Sequence, residues 1–256
     1  MQNWISWNVN GIRSVMKKDF LGWLKNAQPD ALFLQEVRAD LSDIPRLELE
    51  SLGYKSDWNI AEKKGYSGTG FLSKVAPDQV VNGLGMPEMD AEGRVQQVYF
   101  GKTIVFNVYF PNGSASDERL EYKLKFNDLL LEVAKNHVAN GFHVVICGDY
   151  NICHNEIDIA RPKDNAKRSG FLPIERKWMD SLCDAGFKDT FRTLYPETKE
   201  AYSWWSNRGG ARERNVGWRI DYFFCNEALM GQVKGAQILS DVLGSDHCPV
   251  SVQIEI

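Results

Sequence analysis

An α/β fold in which mixed β-sheets carry helices on their outside is what this sequence predicts. Three observations carry that reading. Short apolar, strand-like runs recur along the whole chain, amphipathic helical patterns lie between some of them, and other runs follow each other too closely for a helix to intervene.

The first strand-like run is Trp4–Val9 and the second Ala31–Leu34. Between them Lys17–Asn26 reads as a helix that puts Phe20, Leu21 and Leu24 on one side. Thr69–Leu72 is a third strand. Val95–Phe100 and Thr103–Tyr109 are separated by Gly101 and Lys102 alone, which predicts an antiparallel hairpin. The longest helical pattern, Asp117–Val138, repeats Leu120, Leu124, Leu131 and Ala134 at roughly helical spacing. Ser116 is placed to cap it, and Asp117 and Glu118 suit the positive end of the helix dipole. The strand His143–Cys147, a helix over Pro173–Ala185 with proline in its first turn, and the strands Ile220–Cys225 and Pro249–Ile254 complete the reading.

A chain of 256 residues, 43% hydrophobic and 25% charged, is long enough for one globular core, and it contains no repeat or linker-like tract. One domain spanning residues 1–256 is expected. No apolar run approaches the roughly 20 residues that span a bilayer, and MQNWISWNVNG lacks the features of a secretory signal. A cytoplasmic, non-secreted and monomeric protein without membrane contact is therefore expected. Its five cysteines, Cys147, Cys153, Cys183, Cys225 and Cys248, form no CxxC pair and read as reduced, mostly buried thiols. The net charge of −4 does not advertise nucleic-acid binding, so local clusters have to decide that question.

The strands share a habit of ending in polar residues. Trp4–Val9 runs into Asn8 and Asn10, Ala31–Leu34 into Glu36, and Thr103–Tyr109 into Pro111 and Asn112. His143–Cys147 runs into Asp149 and Asn151, and Asp246–His247 precede the last strand. Each of these residues taken alone fits a solvated turn. Taken together they suggest one polar pocket at a rim of the sheets, lined by hard oxygen donors of the kind that bind magnesium or manganese. His247 is one of four histidines, and Asp221 in WRIDYF stands at a strand start where it could orient that ring. Such a set can activate a water and neutralise a phosphate. The sequence contains no GxSxG elbow, Walker A loop or GxGxxG turn.

These residues also carry a likeness. SWNVNG, LQEVR, GYSGTG, EGR, YFPN, CGDYNICHNEID, NVGWRIDYFF and GSDHCPV stand in the order found in the exonuclease III-type abasic endonucleases, and the likeness covers essentially the whole chain. The resemblance implies a four-layered α/β sandwich of two face-to-face mixed sheets flanked by helices, as in pancreatic deoxyribonuclease. It implies Mg2+, with Mn2+ as a substitute, held principally by Glu36 with Asn10 and Asp246 nearby. Asp149 matches the residue that positions or deprotonates water, and Asn8, Tyr109 and Asn151 match the phosphate- and water-binding set. His247 and Asp221 match the family's histidine–aspartate pair. The implied reaction is hydrolysis 5′ to an abasic site in double-stranded DNA, leaving a 3′-hydroxyl, with 3′–5′ exonuclease activity and trimming of 3′-blocked ends. Two departures stand out: many relatives have aspartate where this chain has Asn10, and GSASDE lacks the arginine that some insert into the duplex near Ala115.

Basic residues cluster at Arg13, Lys17 and Lys18, at Arg161, Lys163, Lys167 and Arg168, and at Arg208, Arg212, Arg214 and Arg219. Solvated faces are the bland reading of these clusters, and phosphate contacts are the functional one. The resemblance brings Arg13, Tyr66, Ser67, Arg94, Asn112 and Asn165 to backbone phosphates. It makes Trp204, Trp218 and Ile220 a pocket for an extruded sugar, with Trp204 replacing a smaller aromatic of many relatives. The run YSWWSNRGGARERNVGWRI, with Gly209, Gly210 and its arginines, is expected to be exposed. Two other readings stay open: a lipid phosphatase or sphingomyelinase of the same superfamily, and a DNA-binding module without catalysis.

Overall fold

A computed structural model describes residues 1–256. Its strands in chain order are β1 (Gln2–Asn8), β2 (Ala31–Gln35), β3 (Lys55–Asn59), β4 (Thr69–Ser73), β5 (Gln79–Asn82), β6 (Val95–Phe100), β7 (Thr103–Tyr109), β8 (His143–Asp149), β9 (Phe187–Asp189), β10 (Trp204–Trp205), β11 (Gly217–Trp218), β12 (Asp221–Asn226), β13 (Val233–Ile238) and β14 (Val250–Ile254). Two six-stranded sheets result, ordered β13-β14-β1-β2-β4-β3 and β5-β6-β7-β8-β12-β9, and β10 with β11 forms a small ribbon. Each large sheet is antiparallel except for one parallel pair, β1 with β2 and β7 with β8.

Parallel neighbours need a crossover, and helices supply it. Ile12–Met16 and Phe20–Ala27 connect the first pair, and Asp117–Ala139 connects the second. The long helix starts where Ser116 accepts the Arg119 backbone N–H at 3.2 Å, and Gly141 at φ +84° follows its end. Helix Pro173–Asp184 packs beside it on the same outer face.

Period-two alternation sorts the strand residues into layers. Ile5, Trp7, Leu32 and Leu34 face outward against Phe20 and Leu24, while Ile104, Phe106, Val144, Ile146 and Phe224 face outward against Phe126 and Leu130. The alternate residues Trp4, Phe33, Phe71, Val105, Val145, Phe223 and Val252 meet between the sheets. The architecture is therefore the expected sandwich of helices, sheet, sheet and helices.

Two expectations need correction. The long helix buries Lys123, Phe126, Asn127, Leu130 and Ala134, whereas Leu120, Leu124 and Leu131 are only partly covered. The core-facing stripe lies beside these leucines, and one of its positions, Lys123, holds a buried ion pair with Glu175. The tryptophan- and arginine-rich run is also less exposed than expected. Tyr202, Ser203, Trp205, Ala211, Arg219 and Ile220 are buried in it, and only the tip around Arg208, Gly209, Gly210 and Arg214 faces solvent. Arg219 is no phosphate grip: it pairs with Asp158 at 2.8 Å and Asp189 at 2.7 Å, 1% exposed. The cysteines are free, and all but the partly covered Cys183 are buried.

Candidate active site

The two parallel pairs decide where the polar strand ends meet. Parallel strands deliver their C-terminal ends to one edge, so Asn8 and Glu36 arrive together in one sheet and Tyr109 and Asp149 in the other. Antiparallel neighbours bring their starts to that edge. Asp221 at the beginning of β12 stands opposite Asp149, and Asp246–His247 lead into β14 beside β1. Gly148 permits the closest approach, since a Cβ there would lie 1.9 Å from the Val108 carbonyl oxygen.

Left-handed backbone turns the chain out of several of these strands. Asn10 (φ 45°), Glu36 (φ 55°), Arg38 (φ 50°) and Asn151 (φ 52°) all adopt it, at an order of 1–3 kcal/mol each for non-glycine residues. The surrounding hydrogen bonds hold them there. The Glu36 N–H precedes a turn in which Gly11 and Ile12 donate to the Glu36 and Val37 carbonyls at 2.8 and 2.9 Å.

A cleft of about 600 Å³ opens at this edge. Asn8, fully buried beneath it, donates through Nδ2 to Glu36 Oε2 and to Asp149 Oδ2, both at 2.8 Å, and so ties the two sheets' carboxylates together. Asp149 Oδ1 accepts the Asn151 backbone N–H at 2.8 Å. The Asn151 side chain donates to Asp149 Oδ2 and the Phe110 carbonyl, and accepts from Asn112. His247 Nδ1 lies 2.9 Å from Asp221 Oδ2, and Nε2 lies 3.8 Å from Asp149 Oδ2. A carboxylate can only accept, so Nδ1 carries the proton towards Asp221 and Nε2 faces the cleft. Ser203 Oγ, 2.6 Å from the same oxygen of Asp221, steadies the pair.

Burial disfavours charge on these groups, and their partners answer it differently. Burial pushes the Asp149 carboxyl up to about 7, opposed by His247 and reinforced by Asp221. Burial also acts against the His247 imidazolium, yet Asp221 and Asp149 outweigh it and raise the ring to about 10. Tyr109 is driven well above the usual phenol range, first by burial and then by Glu36. Asp246 is held below the usual carboxylate range because His247, Asn10 and Trp204 outweigh its burial.

One ligand atom each from Glu36, Asp149 and His247 lies within 4.8 Å of the others. The Glu36 and Asp149 carboxylate oxygens that converge here are hard donors of the kind a divalent cation takes. Asn10 and Asp246 stand at the rim, joined by an Asn10 Nδ2 hydrogen bond to Asp246 Oδ1 at 2.9 Å. Asp246 Oδ2 accepts from Trp204 Nε1 at 3.1 Å. Arg38 pairs with Glu36 and donates to Asn10 Oδ1.

The remaining candidates divide by position. Asn112, Arg168, Trp204, Trp218 and Ile220 line the same cleft. Trp204 meets Trp218 edge-on at 5.8 Å, and both pack on buried Ile159, Phe171 and Ile220, which makes that wall apolar. Arg13 lies outside, in a shallow basic depression with Lys17 and Lys18 that shares Arg38 with the cleft. Arg94 donates to the Tyr109 carbonyl and to Tyr66 Oη, beside buried Ser67. Asn165 is buried and spends its amide on the Ala160 and Arg161 carbonyls. Arg208 is exposed, and Arg212 is committed to the Ser240, Val242 and Ser245 carbonyls. Sequence reasoning missed Arg38, Ser114, Ser169 and Gly170 as cleft residues. Arg38 stood in the quoted run LQEVR two residues after Glu36; the others carry no signal of their own.

The chain is similar to known proteins over nearly its whole length. It is 46% identical over 253 residues to an exodeoxyribonuclease of Bacillus subtilis (strain 168), covering 98% of this chain and 99% of the relative. It is 36% identical over 254 residues to a DNA-(apurinic or apyrimidinic site) endonuclease of Dictyostelium discoideum, covering 98% of this chain and 70% of that protein. Among solved structures, a 3′ phosphatase from Neisseria bound to product DNA hairpin superposes with a TM-score of 0.91 at 27% identity, over 100% of both chains. An AP endonuclease from Archaeoglobus fulgidus gives 0.90 at 27% identity, also over 100% of both. Residues 5–247 match the model of the Endonuclease/Exonuclease/phosphatase family, and with this fold and these relatives the chain belongs to that family of enzymes.

Proposed function

We propose that this protein is a DNA repair nuclease that hydrolyses the phosphodiester bond 5′ to an abasic site in double-stranded DNA, leaving a 3′-hydroxyl. The observation that carries the reading is the convergence of Glu36, Asp149 and His247 in one cleft whose other wall is Trp204, Trp218 and Ile220. A phosphate-handling polar end and an apolar slot for a baseless sugar then lie side by side, and a sugar without its base turns out of the helix at little cost. The relatives' exodeoxyribonuclease and AP endonuclease activities support the substrate. The DNA-bound 3′ phosphatase supports trimming of 3′-blocked ends at this site, and a 3′–5′ exonuclease of Neisseria meningitidis with the same fold supports exonuclease action there.

Asp149 orients a water and takes its proton as the water oxygen bonds to phosphorus; the bond to the 3′ oxygen breaks, and that oxygen takes up a proton from solvent to leave as the 3′-hydroxyl. Asn8 and Asn151 hold Asp149 in place, and Tyr109 and His247 offer hydrogen bonds to the phosphate oxygens. Asp221 keeps His247 oriented and charged. Glu36, with Asn10 and Asp246 nearby, would hold Mg2+, or Mn2+ in its place, and the cation would supply charge neutralisation at the phosphate. Arg13, Tyr66, Asn112, Arg168 and Arg208 are the proposed backbone contacts, which position a duplex without reading its sequence, while Ser67, Arg94, Asn165 and Arg212, buried or committed to protein partners, support the loops around them. The protein acts inside the cell as a monomer of one domain, residues 1–256.

Incubating the protein with a duplex carrying one tetrahydrofuran site tests the reading. Incision 5′ to the lesion in Mg2+ and its loss in EDTA are expected. Intact duplex in Mg2+ alongside phosphate release from inositol lipids overturns it.

A further inference from the structure

Lys123 and Glu175 form an ion pair 2.6 Å apart, with both side chains 0% exposed. Two charges taken fully out of water bring little net stability, and a pair of apolar or neutral residues often does as well. What the pair touches is more informative than its charge. Lys123 Nζ also donates to the Asn151 backbone carbonyl at 2.8 Å. Glu175 accepts from Ser169 Oγ at 3.1 Å, Gly170 N at 2.6 Å and Leu172 N at 3.1 Å. Cys153, two residues past Asn151, donates its N–H to the Gly170 carbonyl at 2.7 Å. A Cβ at Gly170 would lie 2.9 Å from the Trp218 ring and 3.2 Å from the Asn151 carbonyl.

Helix Asp117–Ala139 and helix Pro173–Asp184 thus reach through the outer layer to grip the back of the cleft at Asn151 and at the Ser169–Gly170 wall. The grip adds to the hydrogen bonds from Asn151 to Asp149 and Phe110 that hold its left-handed backbone. We propose that Lys123 and Glu175 are positioning residues, which fix the Asn151 amide against Asp149 and the Ser169–Gly170 wall against Trp218 without touching substrate. This rests on the cleft being the site of phosphodiester hydrolysis.

The test uses Lys123→Met combined with Glu175→Gln in the full chain. Removing both charges avoids the bare buried carboxylate that Lys123→Met alone would leave, and glutamine still accepts from Gly170. The expected double variant melts within about 5 °C of the parent and binds the tetrahydrofuran duplex equally well in EDTA. Its kcat on that duplex falls roughly 10- to 100-fold with KM unchanged, the effect of a small misplacement. The Asn151 side-chain amide resonance in 15N–1H spectra shifts as well. A kcat within about twofold of the parent in the folded double variant overturns the proposal. So does a double variant that does not fold, which would make the pair structural only. If the parent itself leaves the duplex intact, the hydrolase reading falls, and the Asn151 resonance still decides the positioning: no shift overturns it.

Discussion

The layer between the two sheets has an apolar end and a polar end, and one alternation builds both. At one end Trp4, Phe33, Phe71, Val105, Val145 and Phe223 pack against each other. Further along the same inward-facing positions stand Asn8, Gln35, Asn107, Asp149 and Asp221, all buried. A belt separates the two. Gln35 Nε2 donates to Ser6 Oγ at 3.0 Å and to Asn107 Oδ1 at 2.8 Å, while Asn107 donates to the Gly70 carbonyl of the opposite sheet at 2.9 Å. The difference teaches where stability and chemistry are drawn from. Apolar pairs hold the sheets together, and the polar end keeps desolvated carboxylates that no folding requirement explains.

Breaking the polar end should give the largest effect. Asp149→Asn and Glu36→Ala should each lower incision by roughly 10³-fold while DNA binding and melting temperature stay near the parent's. Either variant cutting at close to the normal rate would separate these carboxylates from catalysis. Phe33→Ala, at the apolar end, should have the opposite signature. It should cost about 3–5 kcal/mol in urea unfolding while the folded fraction keeps its turnover. Asn107→Leu, in the belt, should do some of each: about 1–3 kcal/mol lost because Gln35 loses a buried partner, with a smaller fall in kcat. Equal stability and activity to the parent would show that the belt links nothing. The mildest change is expected of Trp218→Ala, which should raise KM roughly tenfold or weaken discrimination against intact DNA. An unaltered KM and selectivity would remove Trp218 from the sugar slot.

The strands with strong apolar runs were legible from the sequence, β6 and β7 to the residue and β1, β2, β4, β8, β12 and β14 to within one or two. The short or polar strands β3, β5, β9 and β13 were not, because KSDWN, QVVN, FKD and VKGAQI pair at sheet edges where propensity is weak. The ribbon of β10 and β11 is two residues long on each side, too short for any period to register. Arginine type alone gave no way to tell Arg219, buried between Asp158 and Asp189, from exposed Arg208. Nor does the local sequence mark Lys123 as buried, since its partner Glu175 lies 52 residues away in the chain.

By itself the sequence determined the alternation, the caps, the polar strand ends and the donor chemistry they offer, because those follow from neighbours a few residues apart. Only the tertiary structure decided that the ends meet. Glu36 reaches Asp149 through Asn8, and His247 reaches Asp221, because each sheet has one parallel pair and the sheets pack face to face. Those contacts span 26 to 141 residues, and no local preference encodes a distance of that kind.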